Sequence, residues 1–437
     1  MKFVSTRDPY TIVSFTQALF KGLAPDGGLY HPVEKPNLTD LLNRLDPQIP
    51  FIEIATRLTS ELLGEEVSLE SAGRICRKAF TFSPVLRATG DSIYILELFH
   101  GPSCAFKDFG ASFLASSMEE FLQKEDRKAV ILTATSGDTG SAVARAFHGK
   151  ENIHVVILYP SGRVSTLQEK QLTTLGGNVI ALEVKGSFDD CQKMVKQAFV
   201  DPDLCEKLTL TSANSINLGR LLPQSFYYVY AYSRVEKLDK KLYFVVPSGN
   251  FGNLTAGVLA WSWGLPVDGF IAATNRNDVV PQYLTTGIFT PRASIQTYSN
   301  AMDVGNPSNF ERLKAIFNDD WKEMQSLIHG EVVTDEDTLK TISRVYREKH
   351  LFLDPHTAVG YLASERLLKR IGEGDDSVVV TLATAHPGKF LEVVEKATGV
   401  KPELPPTLKE ALDLPKKSIP MGNKVEELKE FLLDTFL

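Results

Sequence analysis

KLYFVVPSGNFGNLTAGVLAWSWG, residues 241–264, decides how the chain is read. An apolar run of strand length meets a glycine-rich turn, PSGNFGN, which opens straight into the helical segment LTAGVLAW. A strand with no polar alternation is buried on both faces, and such strands belong to parallel sheets covered by helices. The turn between them has its own physics. Two glycines with small polar neighbours let backbone N–H groups converge, and the helix N-terminus adds a favourable dipole for an anion. The plainer reading is a tight strand-to-helix turn. GK[ST] and GxGxxG are both missing from it.

The same unit recurs outward from there. IYILEL, AVILTA, IHVVILYP, NVIALEV, LTLTSA, GFIAATN and VVVTLAT read as strands. SAVARAFHG, STLQEKQLTTLGG, FDDCQKMVKQAF and LLPQSFYYVYAYSRV read as the helices between them. Regular alternation predicts an α/β fold, with parallel sheets flanked by helices. The first ninety or so residues read as mainly helical, through FTQALFKGL and FIEIATRLTSELLG. KPELPPTLKEALDLPKKSIP is a proline-rich crossing, and KVEELKEFLLDTFL is an amphipathic helix expected to dock on the body. The expected units are a mainly helical region 1–92, α/β units 93–235 and 236–400, and a tail 401–437.

At 437 residues and 43% hydrophobic, the chain can bury a large core. Its net charge of −7 offers nothing to nucleic acid. No apolar run has the length of a membrane span, and MKFVSTRDPYTIVSF lacks a secretory apolar core. Cys76, Cys104, Cys191 and Cys205 show no CxxC pairing and no metal spacing. The expectation is a cytoplasmic protein with reduced thiols and no metal site.

Four further stretches carry chemistry. TSGDTGSA (135–142) offers the hydroxyls of Ser136 and Thr139 to an anion, whereas Asp138 would repel one unless it faces a hydroxyl or a cation; its plain role is a helix N-cap. SANSINLGRLLPQ (212–224) places Arg220 near Ser215, Asn217 and Gln224. That suits phosphate or carboxylate, or else a salt bridge on a helix surface. TLATAHPGKF (381–390) ends a parallel-type strand, where α/β sheets bind ligands, and carries the Thr384 hydroxyl; His386 reads as structural. HGPSCAFKDFGAS (100–112) holds one singular lysine, Lys107. A lysine that forms Schiff bases, combined with anion-cradling turns, points to an aldehyde cofactor bearing a phosphate, with pyridoxal phosphate as the candidate. The competing reading is a surface ion pair between Lys107 and Asp108.

HGPSCAFKDFG, TSGDTGSA, SANSINLGRLLPQ, PSGNFGN and TAHPGKF, in this order, closely resemble the threonine synthase family. So do VSFTQALFKGLAPDGGLYHP near the start and ATNRND at 273–278. The resemblance runs to about residue 395 and is to the longer branch, with an N-terminal helical extension. It implies fold type II of the pyridoxal phosphate enzymes, similar to the tryptophan synthase β-subunit. It implies Lys107 as the Schiff-base lysine. It implies a phosphate site at Gly249, Asn250, Phe251, Gly252 and Asn253 with Ser248, and Thr384 at the pyridine nitrogen. Ser136, Thr139, Asn217 and Arg220 would bind substrate. Asp138 stands where related enzymes often have asparagine facing the cofactor's 3′-oxygen, and a carboxylate there needs a proton or a cation. The implied reaction converts O-phospho-L-homoserine and water to L-threonine and phosphate, in a monomer or homodimer. Asp8 replaces a family glycine, and Ser103-Cys104 replaces Thr-Leu. Two alternatives share the fold: a phospho-lyase releasing 2-oxobutyrate and ammonia, and a non-catalytic relative. Intact Lys107, PSGNFGN and Thr384 argue against the second.

Overall fold

The computed structural model describes residues 1–90, 92–125, 127–135, 137–372 and 376–437. Two sheets carry the fold. The larger has six strands, in the order Ile328–Val332, Gly269–Thr274, Lys241–Pro247, Ser377–Ala383, Ile93–Glu97 and Val85–Ala88. All neighbours are parallel except the last pair. The smaller has five parallel strands, Ile419–Met421, Val179–Val184, Ile153–Pro160, Ala129–Ala134 and Leu210–Thr211. Ser377–Ala383 and Gly269–Thr274 are buried at every position, which is why they read as unbroken apolar runs.

Three placements differ from the sequence expectation. Ile93–Glu97 pairs with Ser377–Ala383, so the strand that opens the expected 93–235 unit lies in the sheet of the later unit. The proline-rich segment holds a helix, Pro406–Asp413, and a strand, Ile419–Met421, that closes one edge of the smaller sheet. Pro420 is tolerated there because an edge strand need not donate on both sides. The N-terminal region is not helical throughout. Phe3–Ser5 pairs antiparallel with Tyr30–Pro32, and Val85–Ala88 lies antiparallel to Ile93–Glu97. The terminal helix, Val425–Phe436, does dock, burying Leu428 and Leu432 with Cys191 and Met194.

The consequence for function lies at the strand ends. Lys241–Pro247, Ser377–Ala383 and Ile93–Glu97 are adjacent and parallel. PSGNFGN, TAHPGKF and HGPSCAFKD therefore leave one common edge, the carboxyl ends where open α/β sheets bind ligands. No helix among the described residues is long and apolar enough to cross a membrane.

Candidate active site

The Lys107 loop is zipped to the end of its neighbouring strand. Leu98 N–H donates to Ala383 O at 3.0 Å, Phe106 N–H to Thr384 O at 2.8 Å, and His386 N–H to Cys104 O at 3.0 Å. Ala105 and Ala385 form an antiparallel bridge. This pairing puts Thr384 beside the start of the helix Lys107–Glu125. Gly110 keeps that helix close to the next piece of the site: a Cβ there would stand 2.6 Å from Arg220 O.

Lys107 is half-buried at the first position of its helix, and its pKa is lowered. Burial is the main cause; the charges of Lys389 and Arg220 add to it, and Asp138 opposes it. The positive end of the helix dipole acts in the same direction as burial. The surface ion pair with Asp108 is not formed. Asp108 is itself 1% exposed, and its Oδ2 accepts from Ser103 N–H at 2.9 Å. Burial pushes its carboxyl up to about 6.

Asp138 begins the helix Asp138–Phe147, and Gly137 occupies the N-cap position, so Asp138 is not the cap. It forms an ion pair with Lys389, Nζ to Oδ1 at 2.7 Å. Burial alone would raise its pKa, but the charges of Lys389 and Lys107 hold the carboxyl well below the usual carboxylate range. Thr139 stands one residue on, half-buried, and Ser136 lies outside the described residues.

Arg220 is 2% exposed, which removes the surface salt-bridge reading. Its Nη1 donates to Ala213 O at 2.8 Å, and its Nε is buried without a partner among the described residues. Burial pushes the guanidinium down to about 10, so it keeps its charge at neutral pH. Asn217 differs. Its Nδ2 donates to Leu19 O at 2.9 Å and Ser212 O at 3.0 Å, and its Oδ1 accepts from Gly219 N–H at 2.9 Å. Both of its amide hydrogens are committed to holding this loop to the N-terminal region. Asn217→Ala is expected to cost about 1–3 kcal/mol of stability in denaturant unfolding, with little change in KM. A raised KM at unchanged stability would return Asn217 to substrate binding.

PSGNFGN is built as an open turn. Phe251 takes the left-handed conformation at φ 62°. Thr255 N–H is the first to bond back, to Phe251 O at 2.9 Å, leaving the N–H groups of Gly249–Asn253 without acceptors among the described residues. A Cβ at Gly249 would stand 2.6 Å from Met302 Cα. Asn250 braces the turn, donating from Nδ2 to Ser215 Oγ at 2.8 Å and accepting Ser308 N–H at 2.6 Å. Ser248 Oγ donates to Val246 O at 2.8 Å, which commits its hydrogen to the backbone. Asn253 Oδ1 accepts from Tyr227 and Tyr228 hydroxyls at 2.7 and 2.8 Å, while its Nδ2 is buried with no partner among the described residues.

Three family models cover the chain in order. "Threonine synthase N terminus" matches residues 2–80, "Pyridoxal-phosphate dependent enzyme" residues 77–384, and "Threonine synthase, C-terminal" residues 357–432. The threonine synthase of Haemophilus influenzae is 42% identical over 99% of this chain and 100% of its own.

The chain belongs to the threonine synthase family.

Solved threonine synthases agree in fold. The pyridoxal phosphate-bound threonine synthase from Brucella melitensis superposes with a TM-score of 0.93 at 35% identity, covering 99% of this chain and 98% of that one. Threonine synthase from Escherichia coli gives 0.89 at 41% identity, covering 99% and 100%. As a threonine synthase the chain is a pyridoxal phosphate enzyme of fold type II. Its residues fit that cofactor: an open turn whose N–H groups, like the neighbouring Asn253 Nδ2, have no partner among the described residues suits a phosphate, and a half-buried lysine of lowered pKa suits an aldehyde.

Sequence reasoning passed over two residues of this threonine synthase. Lys389 sat unremarked within TAHPGKF, although a carboxylate in an anion-binding loop already required a cation. Arg312, fully buried, donates to Tyr30 O, Asn309 Oδ1 and Ile216 O at 2.9, 2.6 and 2.8 Å, tying the substrate loop to the N-terminal strand pair. Nothing in NFERLKAIF marked it.

Proposed function

We propose that the chain converts O-phospho-L-homoserine and water to L-threonine and phosphate in the site around Lys107. The observation carrying this reading is Lys107 itself, half-buried, with its pKa lowered by desolvation and by the charge of the buried Arg220 among others. Gly249–Asn253 would hold the cofactor phosphate through their N–H groups, and Thr384 would meet the pyridine nitrogen as a neutral hydroxyl. Bound there, pyridoxal phosphate supplies an electron sink for carbanions at the substrate's α- and β-carbons.

The chain's own residues do the rest. Arg220 and Thr139, with Ser136, bind the substrate's phosphate and carboxylate. A guanidinium that keeps its charge while buried binds such a group more strongly than one at the surface. The Lys107 amine, its pKa lowered by desolvation, removes the α-proton as a general base. The γ-phosphate departs as the Cβ proton is lost, Cγ takes up a proton to become the methyl group, water adds at Cβ to give the threonine hydroxyl, and a proton returns to Cα. Free, buried Cys76, Cys104 and Cys191 fit work in the cytoplasm.

The test is a product assay with O-phospho-L-homoserine, following phosphate, threonine and 2-oxobutyrate together. One threonine per phosphate supports the synthase reading. Phosphate with 2-oxobutyrate and little threonine would replace it with the phospho-lyase.

A further inference from the structure

Lys389 has no part in the reaction described above, yet its surroundings are those of a functional group. Its side chain is 1% exposed and that of its partner Asp138 is 6% exposed, at an Nζ–Oδ1 distance of 2.7 Å. The same Nζ donates to Ser103 O at 2.7 Å. Lys389 leaves the end of Ser377–Ala383, Ser103 belongs to the Lys107 loop, and Asp138 heads a helix that follows the smaller sheet. One ammonium thus ties together loops from both sheets. A buried ion pair is a poor source of stability, because desolvation offsets most of the attraction. Stability alone is therefore a weak reason for keeping this one.

We propose that Lys389 is a positioning residue of the reaction: by cancelling the charge of Asp138, it keeps that carboxylate from raising the proton affinity of the Lys107 nitrogen. The inference rests on the reading of Lys107 as the cofactor-bearing base. The charges acting on Lys107 are few. Asp138 favours its protonated form, and Lys389 and Arg220 disfavour it. Beyond these, Asp108 interacts with Lys389 and Arg220, and His356 with Asp138. Asp138 without Lys389 would draw a proton onto the Lys107 nitrogen and blunt it as a base. Lys389 without Asp138 would repel the proton and weaken the bond between a cationic Lys107 nitrogen and its surroundings. The pair together leaves the nitrogen close to the poise set by burial and Arg220. It also keeps a carboxylate compatible with a loop built for anions, since the negative charge is cancelled on the spot. Valence leaves the ammonium a third N–H for an acceptor oxygen in the site.

The test uses the full chain loaded with pyridoxal phosphate, following the visible absorption of cofactor bound at Lys107 as a function of pH. The titration midpoint reports the proton on the Lys107 nitrogen. Lys389→Met is expected to raise it by at least about one pH unit, a tenfold gain in proton affinity. Asp138→Asn is expected to lower it by a similar amount. The double variant, with both charges gone, is expected to return close to the unmodified protein. A purely structural tie would change thermal stability and leave the midpoint in place. If Lys389→Met fails to fold, the fall in Asp138→Asn and its reversal in the double variant carry the same test. A midpoint that stays put in Asp138→Asn, or a double variant that does not return to the unmodified midpoint, overturns the proposal. Absence of any visible band in the unmodified protein is a different result, and overturns the reading of Lys107 itself.

Discussion

Lys107→Ala is expected to lower turnover by at least about 10³-fold and to abolish the visible band that forms when the protein is mixed with pyridoxal phosphate. Both losses have one cause. The amine is the attachment point for the aldehyde and the base for the α-proton, and a positioned general base alone contributes roughly 10²–10⁴-fold. The fold should survive the change. Lys107 is half-buried with its pKa lowered mainly by desolvation, so its removal relieves desolvation rather than breaking a network. The thermal midpoint of the cofactor-free variant should therefore match or exceed that of the cofactor-free parent. Retained activity would dismiss the assignment of Lys107. Lost activity together with lost folding would leave a structural role as the better account.

Arg220→Ala is expected to raise KM for the phosphorylated substrate by about 10- to 100-fold. This corresponds to the ~1.5–3 kcal/mol of a hydrogen bond to a charged group, and kcat should fall less. The structure gives the reason. The guanidinium is buried, makes one bond to Ala213 O, and has an Nε without a partner among the described residues. A fork held in place with donors to spare binds an anion uniformly in ground state and transition state, which is what a KM effect reports. Arg220→Lys keeps the charge and loses the planar geometry, so an intermediate KM is expected. Cofactor affinity, read from the absorbance titration, should change little in either variant. A KM unchanged in both would reassign Arg220 to holding Ala213.

The α/β alternation was legible because parallel strands buried on both faces leave runs such as VVVTLA and GFIAAT that need no partner to be recognised. The turn PSGNFGN was legible for a similar local reason, since its glycines and its strand-to-helix context adjoin in sequence. Features that depend on distant pairing were not legible. Ile93–Glu97 is apolar whichever sheet it joins, and only its register with Ser377–Ala383 assigns it. Asn217 looks like a ligand in SANSINLGR until Leu19 and Ser212 are seen taking both its hydrogens. Phe3–Ser5 and Tyr30–Pro32 are too short for alternation to register. Lys389 was hidden in plain view. Its motif was read for Thr384 and His386, while its partner Asp138 lies in a different loop of a different sheet.

One closing edge of the smaller sheet comes from the very end of the chain. Ile419–Met421 pairs with Val179–Val184, and Leu428 and Leu432 of the last helix cover Cys191 and Met194. A ribosome makes these pieces in the wrong order for early closure. After Val184 has emerged, that strand waits with an unpaired edge while every residue up to Ile419 is added. At roughly 5–20 residues per second the wait is on the order of tens of seconds. Over that interval the nascent protein carries a bare apolar face and an open strand, the two surfaces on which chains stick to one another. The smaller sheet thus loses its exposed edge and face only when Ile419–Met421 and the helix after it have been made.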